Sequence, residues 1–302
     1  MAKVKNPNKI RMSAGDKTFT VVVYTIVTLM LVLIMYPVVF VLSASFSSGS
    51  AVTAGRVLLW PVEPAIDGYI LAFQNRMVWV GYGNTIFYVF TETTINTVMT
   101  VLLAYVMSRR DFSMHRFFGY YCMIPMFFGG GMIPLYILVS DMGLTNTRLG
   151  IIILGCVSLG NMVLVRTYFQ SSIPGELLDS ARLDGASDLY YLTNIAIPLA
   201  KPVLSVIILY SVVGSWNAYM TPMIYLRDRD LYPLQLVLRS ILNATKVNAS
   251  DFMDSAVLSM MAKAQDTMKY SLIVVSTVPM LVFYPFVQKF FEKGVMVGAL
   301  KG

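Results

Sequence analysis

The sequence predicts an all-α, polytopic membrane protein with six transmembrane helices, and three features of it point that way. Hydrophobic residues fill 57% of the 302 positions and charged ones 13%, whereas about a quarter of an average soluble domain is charged. The mean hydropathy is +0.67. Apolar runs of the length needed to cross a hydrocarbon core of about 30 Å, roughly 20 residues each, recur six times between charged or Gly- and Pro-rich connections.

Residues 1–18 form a basic tail carrying Lys3, Lys5, Lys9, Arg11 and Lys17, and no further charge appears until Arg56. The apolar stretch 19–42, Phe19 to Leu42, is the first helix. Ser43-Ala44-Ser45 would suit the cleavage site of a signal peptide. The apolar region of such a peptide is usually about 7 to 15 residues, so this longer run is expected to stay as an anchor. Residues 43–81, with Gly49, Gly55, Trp60, Pro61 and Pro64, form an external loop. Residues 82–292 hold a core of five more helices. Asn84 to Ser108 is the second crossing, interrupted by Glu92 and closed by Arg109-Arg110. Phe117 to Val139 is the third and Gly150 to Arg166 the fourth, joined by the Gly-, Asn- and Thr-rich turn DMGLTNTRLG. Pro202 to Met223 is the fifth, residues 226–269 an external connection, and Tyr270 to Val287 the sixth, with residues 293–302 as a second tail.

With the amino terminus inside, the inner segments hold 14 of the 23 Lys and Arg residues and the outer segments 9. The dense clusters, the tail and Arg109 to Arg116, lie inside, so both termini are expected to face the cytoplasm across a cell (inner) membrane. The net charge of +7 and pI near 9.3 then reflect inner loops in contact with membrane lipid, not a nucleic-acid partner. Cys122 and Cys156 sit in apolar runs and offer no disulfide framework, and His115 is the sole histidine, so no metal site and no catalytic residues are expected.

The connection over residues 172–192 is polar and punctuated. Pro174 suits a first helical turn, and Glu176 behind it places negative charge at the positive end of the helix dipole. Leu177, Leu178, Ala181 and Leu183 form an apolar side; Asp179, Arg182 and Asp184 form a polar one. Gly185 permits a positive φ and a reversal of the chain. A second short helix then begins near Leu189, Tyr190 and Tyr191, and Pro198 and Pro202 mark re-entry into the membrane. Taken alone, such a segment could equally be a linker helix lying on the membrane surface.

The pattern resembles the EAA loop in the permease subunits of binding-protein-dependent ABC importers: a Glu-Ala-Ala triplet, three residues, an invariant Gly, then Ile and Pro. Asp179-Ser180-Ala181 occupies the triplet, Gly185 the turn, and Ile195, Ile197 and Pro198 the trailing part. Asp for Glu keeps the charge with a shorter reach, and Ser for Ala keeps the small volume. LLAYVMSRR, PLYILVSDMGLTNTRLGIII, SWNAYMTPMIYL and QKFFEKGVMVGALKG are similar to the MalG-like second permease of carbohydrate importers. GGGMIPLY and the tail look like its complex-oligosaccharide branch. The resemblance implies the type I ABC importer permease fold, with 172–192 as a coupling helix docked on an ATPase through Glu176, Asp179, Ser180, Ala181, Arg182, Asp184, Gly185 and Ala186. It implies a second homologous permease, two ATPase subunits, an extracytoplasmic solute-binding protein and an oligosaccharide substrate. Gly129-Gly130-Gly131 lacks the Lys-Ser/Thr of a phosphate loop, so ATP and Mg belong to the partner ATPase and this chain carries no cofactor.

An oligosaccharide path needs amides, hydroxyls and flat aromatic faces. Trp216, Asn217 and Tyr219 offer these, or else belong to the interfacial aromatic belt. Glu92, in mid-crossing, must face protein or water; it serves either the path or a structural hydrogen bond, and Asn161 is a similar candidate. Arg166 fits an inner-edge anchor. Leu231, Leu234, Leu236, Leu238, Ile241 and Leu242 in the last external connection would pack under a docked binding protein or rest on the membrane. The expected function is therefore oligosaccharide import driven by ATP. The alternatives are a non-sugar cargo, an ion-coupled secondary transporter, which a single intramembrane Glu and the lack of an internal repeat disfavour, and a membrane-embedded enzyme, which lacks a nucleophile with a base.

Overall fold

The computed structural model describes residues 13–109, 111–247 and 267–285, the side chains of 244–247 excepted. The expectations placed on Lys3, Lys5, Lys9, Arg11, Arg110, residues 248–266, the end of the sixth crossing and the 293–302 tail fall outside the described residues. Apart from an isolated bridge between Ser47 and Pro64, the regular structure of the described residues is helical. Among the described residues, three helices are long and apolar enough to cross a membrane singly, and counting each of three bent helix pairs as one span brings the total up to six. The chain divides into two compact units: Met1–Leu71 with Met253–Val274, and Ala72–Phe252 with Val275–Gly302.

In the first unit, α1 (Ala14–Ser45) begins where the Ser13 amide donates to the Asp16 carboxylate at 3.1 Å. Its long apolar stretch is exposed on every side within this chain, as suits a helix surrounded by lipid. The helix ends in a hydroxyl-rich corner. Ser43, Ser45 and Ser47 are buried, and their hydroxyls reach the Leu59 carbonyl (2.6 Å), the Tyr69 hydroxyl (2.9 Å) and the Ser43 carbonyl (2.6 Å). The loop that follows α1 is therefore built, not slack. It contains α2 (Gly49–Thr53) and the start of α3 (Asp67–Gln74), and Glu63 gathers Ser48 (2.6 Å), Ser50 (3.2 Å) and Arg56 (2.8 Å). The Ser48 hydroxyl above all, with Arg56, holds the Glu63 carboxyl below its ordinary range. At Gly68 a side chain would run into the backbone of Thr267, so glycine lets α3 approach α15 (Thr267–Pro285) closely.

The second unit is organised on α4 (Arg76–Ser108), which opens with the Asn75 side chain accepting from the Met77 amide at 2.9 Å. It packs against α7 (Arg148–Gly155), α8 (Leu159–Ser172), α12 (Lys201–Trp216) and α14 (Leu234–Val247). One apolar cluster lies toward the Arg109 end of α4, with Val101, Ala104, Met162, Val165, Phe169 and Ile207. Another lies toward the Arg76 end, with Tyr88, Val139, Ile151, Tyr225 and Leu226.

Three predicted crossings are broken. The third, expected as one helix from Phe117 to Val139, is α5 (His115–Phe127) and α6 (Met132–Asp141), bent by 114°. Pro125 and the Gly129–Gly131 run account for it: Gly131 takes φ +86°, which a side chain would resist. The fourth bends by 41° between α7 and α8. The fifth is shorter than predicted. It ends at Trp216 and resumes as α13 (Met220–Tyr225), after Gly214 and Asn217 and before Pro222.

The described part of the connection after α13 is also more ordered than a loop. A 3₁₀ turn, Arg229–Leu231, precedes α14, and Leu234, Leu236, Val237 and Leu238 are buried. Its leucines are expected beneath a binding protein or on lipid; Leu234 instead lies with Val237 against Gly81 and Thr85 of α4, while Leu231, Ile241 and Leu242 stay half-buried, because hydrogen bonds pin the start of the segment to α4. Asn84 donates to the carbonyls of Asp230 (2.7 Å) and Tyr232 (3.1 Å), Tyr88 to that of Leu231 (3.0 Å), and the Leu234 amide donates to Thr85 (2.8 Å). The DMGLTNTRLG turn joins this clamp. Asn146, at φ +58°, accepts from the amides of Arg227 (2.9 Å) and Asp228 (2.8 Å), and Arg148 donates to Asn84 at 2.9 Å.

Candidate functional site

The predicted connection 172–192 folds as the sequence implies. Glu176 and Asp179 stand in the first turn of α9 (Glu176–Leu183) and Arg182 in its last, each complementing the helix dipole. Gly185 takes φ +79°. Its amide donates to the Arg182 carbonyl at 3.0 Å and that of Ala186 to the Ala181 carbonyl at 2.9 Å, which closes the helix and turns the chain. Ser187 accepts from the Tyr190 amide (3.2 Å) to start α10 (Asp188–Tyr191). A π turn, Leu192–Ala196, and α11 (Ile197–Leu199) then lead to an 81° bend into α12.

The eight residues assigned to this element divide by face. Ala181 is 7% exposed and seats in the apolar cluster with Tyr105, Phe169 and Tyr191. Glu176, Asp179, Ser180, Asp184 and Gly185 are exposed, Ala186 half-buried, and Leu183 protrudes at 89% exposure. A small residue inward and a polar face with one apolar knob outward make a surface suited to a protein partner. Arg182 turns sideways to the Asp111 carboxylate at 2.6 Å, which Arg109 grips as a fork at 2.6 and 2.9 Å. Those contacts, Arg109 first and then Arg182, hold the Asp111 carboxyl far below the usual carboxylate range and push the Arg109 guanidinium above its own.

The path candidates separate into two places. Glu92 and Asn161 line one polar cavity of about 350 Å³ with Asn96, Tyr210, Ser211 and Ser215. Asn96 donates to the Gly155 carbonyl (3.1 Å) and accepts from Ser211 (3.1 Å). A Cβ on Gly155 would lie 3.2 Å from the Glu92 carboxyl carbon, so glycine makes room for that side chain. The Ser215 hydroxyl lies beside Glu92 but outside good hydrogen-bond geometry. Asn96 was not singled out in the sequence, although its position one helical turn beyond Glu92 puts both on one face.

Trp216, Asn217 and Tyr219 do not line this cavity. Trp216 is buried, donates to the Ser276 carbonyl at 3.1 Å and borders an apolar cavity of about 630 Å³ with Ile86, Val212 and Phe283. Asn217 bonds back to the Val213 carbonyl at 2.9 Å, and the Tyr219 ring lies under the Arg239 guanidinium at 4.6 Å. Arg166 is half-buried, with no partner for its Nε among the described residues.

Known proteins share this architecture. The chain is 30% identical over 287 residues, 95% of its length and 99% of the relative's, to the polygalacturonan/rhamnogalacturonan transport system permease protein YtcP of Bacillus subtilis (strain 168). It is 24% identical over 273 residues, 89% of this chain and 91% of the relative, to the arabinooligosaccharides transport system permease protein AraQ of Halalkalibacterium halodurans. A crystal structure of a bacterial ABC transporter involved in the import of the acidic polysaccharide alginate contains a chain that superposes with a TM-score of 0.84 at 33% identity, covering 94% of this chain and all of that one. Residues 96–297 match the binding-protein-dependent transport system inner membrane component, and with two thirds of its length inside that match the chain belongs to this family of ABC importer permeases, with the type I fold.

Proposed function

We propose that this permease forms one half of an oligosaccharide pathway. A solute-binding protein delivers cargo from outside, a second, similar permease completes the path, and two ATPase subunits drive it from the cytoplasm. The observation that carries the reading is α9, turned by Gly185 and presenting Glu176, Asp179, Ser180, Leu183 and Asp184 outward around the buried Ala181. A short helix fixed at one side and free at the other transmits a rigid-body push from a partner. The relatives' names support a saccharide cargo, and the Arg109, Arg110 and Arg116 cluster, whose Arg109 side chain shares Asp111 with Arg182 of α9, supports with the basic 1–18 tail a cytoplasmic position for α9 and both termini. Hydrolysis is assigned to the ATPases, which bind ATP and Mg.

Gly185→Asp tests the coupling claim. The added Cβ meets no atom within 4 Å, so the change acts through the positive φ and the new charge. Uptake should vanish and the ATPase should separate from the purified complex. Normal ATPase retention would count against this reading. Uptake that survives ATP depletion and follows a proton gradient would instead favour an ion-coupled carrier.

The polar cavity supports a place for Glu92 and Asn161 on the path, since carboxylate and amide groups beside hydroxyls match the donors and acceptors of a sugar. Glu92→Gln keeps the shape and removes the charge. Uptake should fall with assembly intact, and unchanged uptake would assign Glu92 a structural part.

A further inference from the structure

The coupling helix is tied to the core by a closed set of charges. Arg109 pairs with Asp111 (2.6 Å), Asp111 with Arg182 (2.6 Å), Arg182 with Asp188 (3.8 Å) and Asp188 with Arg109 (3.0 Å). Arg109 also donates to the Tyr105 hydroxyl at 2.6 Å. The four residues come from just past the end of α4, the turn that follows it, the last turn of α9 and the first residue of α10. Behind α9, packing gives way to a cavity of about 610 Å³ bordered by Tyr105, Ser108, Gln170, Pro174 and Leu178. The apolar seat of α9 is Ala181 with the half-buried Leu178 one turn before it, a narrow line of contact about which the helix can rock.

We propose that Arg109, Asp111, Arg182 and Asp188 are positioning residues for energy coupling: their ring supplies the second point of attachment that makes α9 move as one body with the Arg109 end of α4. The proposal rests on the coupling role given to α9 above. Forked guanidinium–carboxylate pairs fix angle as well as distance, as a transmission joint requires. The Arg109 side chain is 11% exposed, so its pairs are less screened than open surface pairs. Two cations balance two anions, which lets the ring travel without leaving a charge unpaired. Asp111 is its keystone, because it alone takes a bond of 2.6 Å from each arginine.

The test uses the whole transporter in proteoliposomes, with its ATPases and binding protein, carrying Asp111→Asn or Asp111→Glu. With Asn, hydrolysis stimulated by the loaded binding protein and solute moved per ATP should each fall by about tenfold or more, while the ATPase still co-purifies. Asp111→Glu, which keeps the charge, should restore most of both. Wild-type coupling in Asp111→Asn would overturn the proposal. So would loss of ATPase co-purification in Asp111→Asn with Asp111→Glu normal, since the ring would then be an assembly brace. A wild-type complex whose hydrolysis ignores the binding protein would sink the coupling role given to α9, before any variant is compared.

Discussion

The two ends of α4 are fastened by different chemistry. At the Arg76 end, Asn84, Thr85 and Tyr88 hold the 230–234 segment through neutral hydrogen bonds, and Gly81 lets the backbone of α14 pack directly on the helix. At the Arg109 end, α9 is held by Ala181 and four ion pairs beside a large cavity. Close packing with satisfied neutral groups has one good arrangement and resists displacement. The forked charge pairs fix α9 to the end of α4 while leaving the cavity beside the joint unfilled, so the two can shift together. The first fastening suits a fixed frame and the second an element that must move under load.

Enlarging a glycine at each end should separate them most sharply. A Cβ at Gly81 would lie 3.0 Å from the Leu234 Cα and 3.1 Å from Val237, and backbone cannot swing aside. Gly81→Leu should therefore destabilise the protein by about 3 kcal/mol or more, seen as a lower unfolding temperature in detergent. Gly175→Ala, at the head of α9 with φ −62° and open space around it, should stay within about 0.5 kcal/mol. A rigid response to Gly175→Ala would erase the contrast.

Asn84→Leu comes next. It strands the Asp230 and Tyr232 carbonyls and the Arg148 guanidinium at once, so a loss of about 2–3 kcal/mol is expected in the same assay. Deleting the 226–247 segment should accordingly cost folded protein in the same assay.

The smallest effects come from solution conditions. At about 1 M salt the Debye length shrinks to roughly 3 Å, which should lower coupling while leaving the neutral hydrogen bonds of Asn84, Thr85 and Tyr88 to the 230–234 segment unaffected. Acid should do little. Because the folded Asp111 pKa is depressed, its contribution is present above the ordinary carboxylate range and is lost only as pH falls through the lowered value. Moving from about pH 7 to about pH 5 should leave the coupling ratio unchanged. A steep loss across that interval would mean that Asp111 is not held as the ring requires.

Much of this was legible along the chain. The α9–Gly185–α10 element follows from Pro174, the acidic first turn and a glycine at positive φ, all short-range signals. The breaks in the spans were harder. Gly129–Gly131 is a visible breaker, but mean apolarity over Phe117 to Val139 concealed a 114° bend. Glu92 and Asn161 were visible as isolated polar residues. Their meeting, and the part of Asn96, depend on which faces of α4 and α8 pack together.

By itself, then, the sequence determined the apolar spans, the helix–turn–helix over residues 172–192 and, through its motifs, the permease family, because span length, turn chemistry and helix caps are set by neighbours within a few residues. Only the tertiary structure decided that Leu234 and Val237 of α14 lie on α4, that Trp216 is buried against Ser276, and that Arg182 meets an aspartate 71 positions away. Those pairings are chosen by the packing of whole helices, and hydropathy along a chain carries no record of which face meets which.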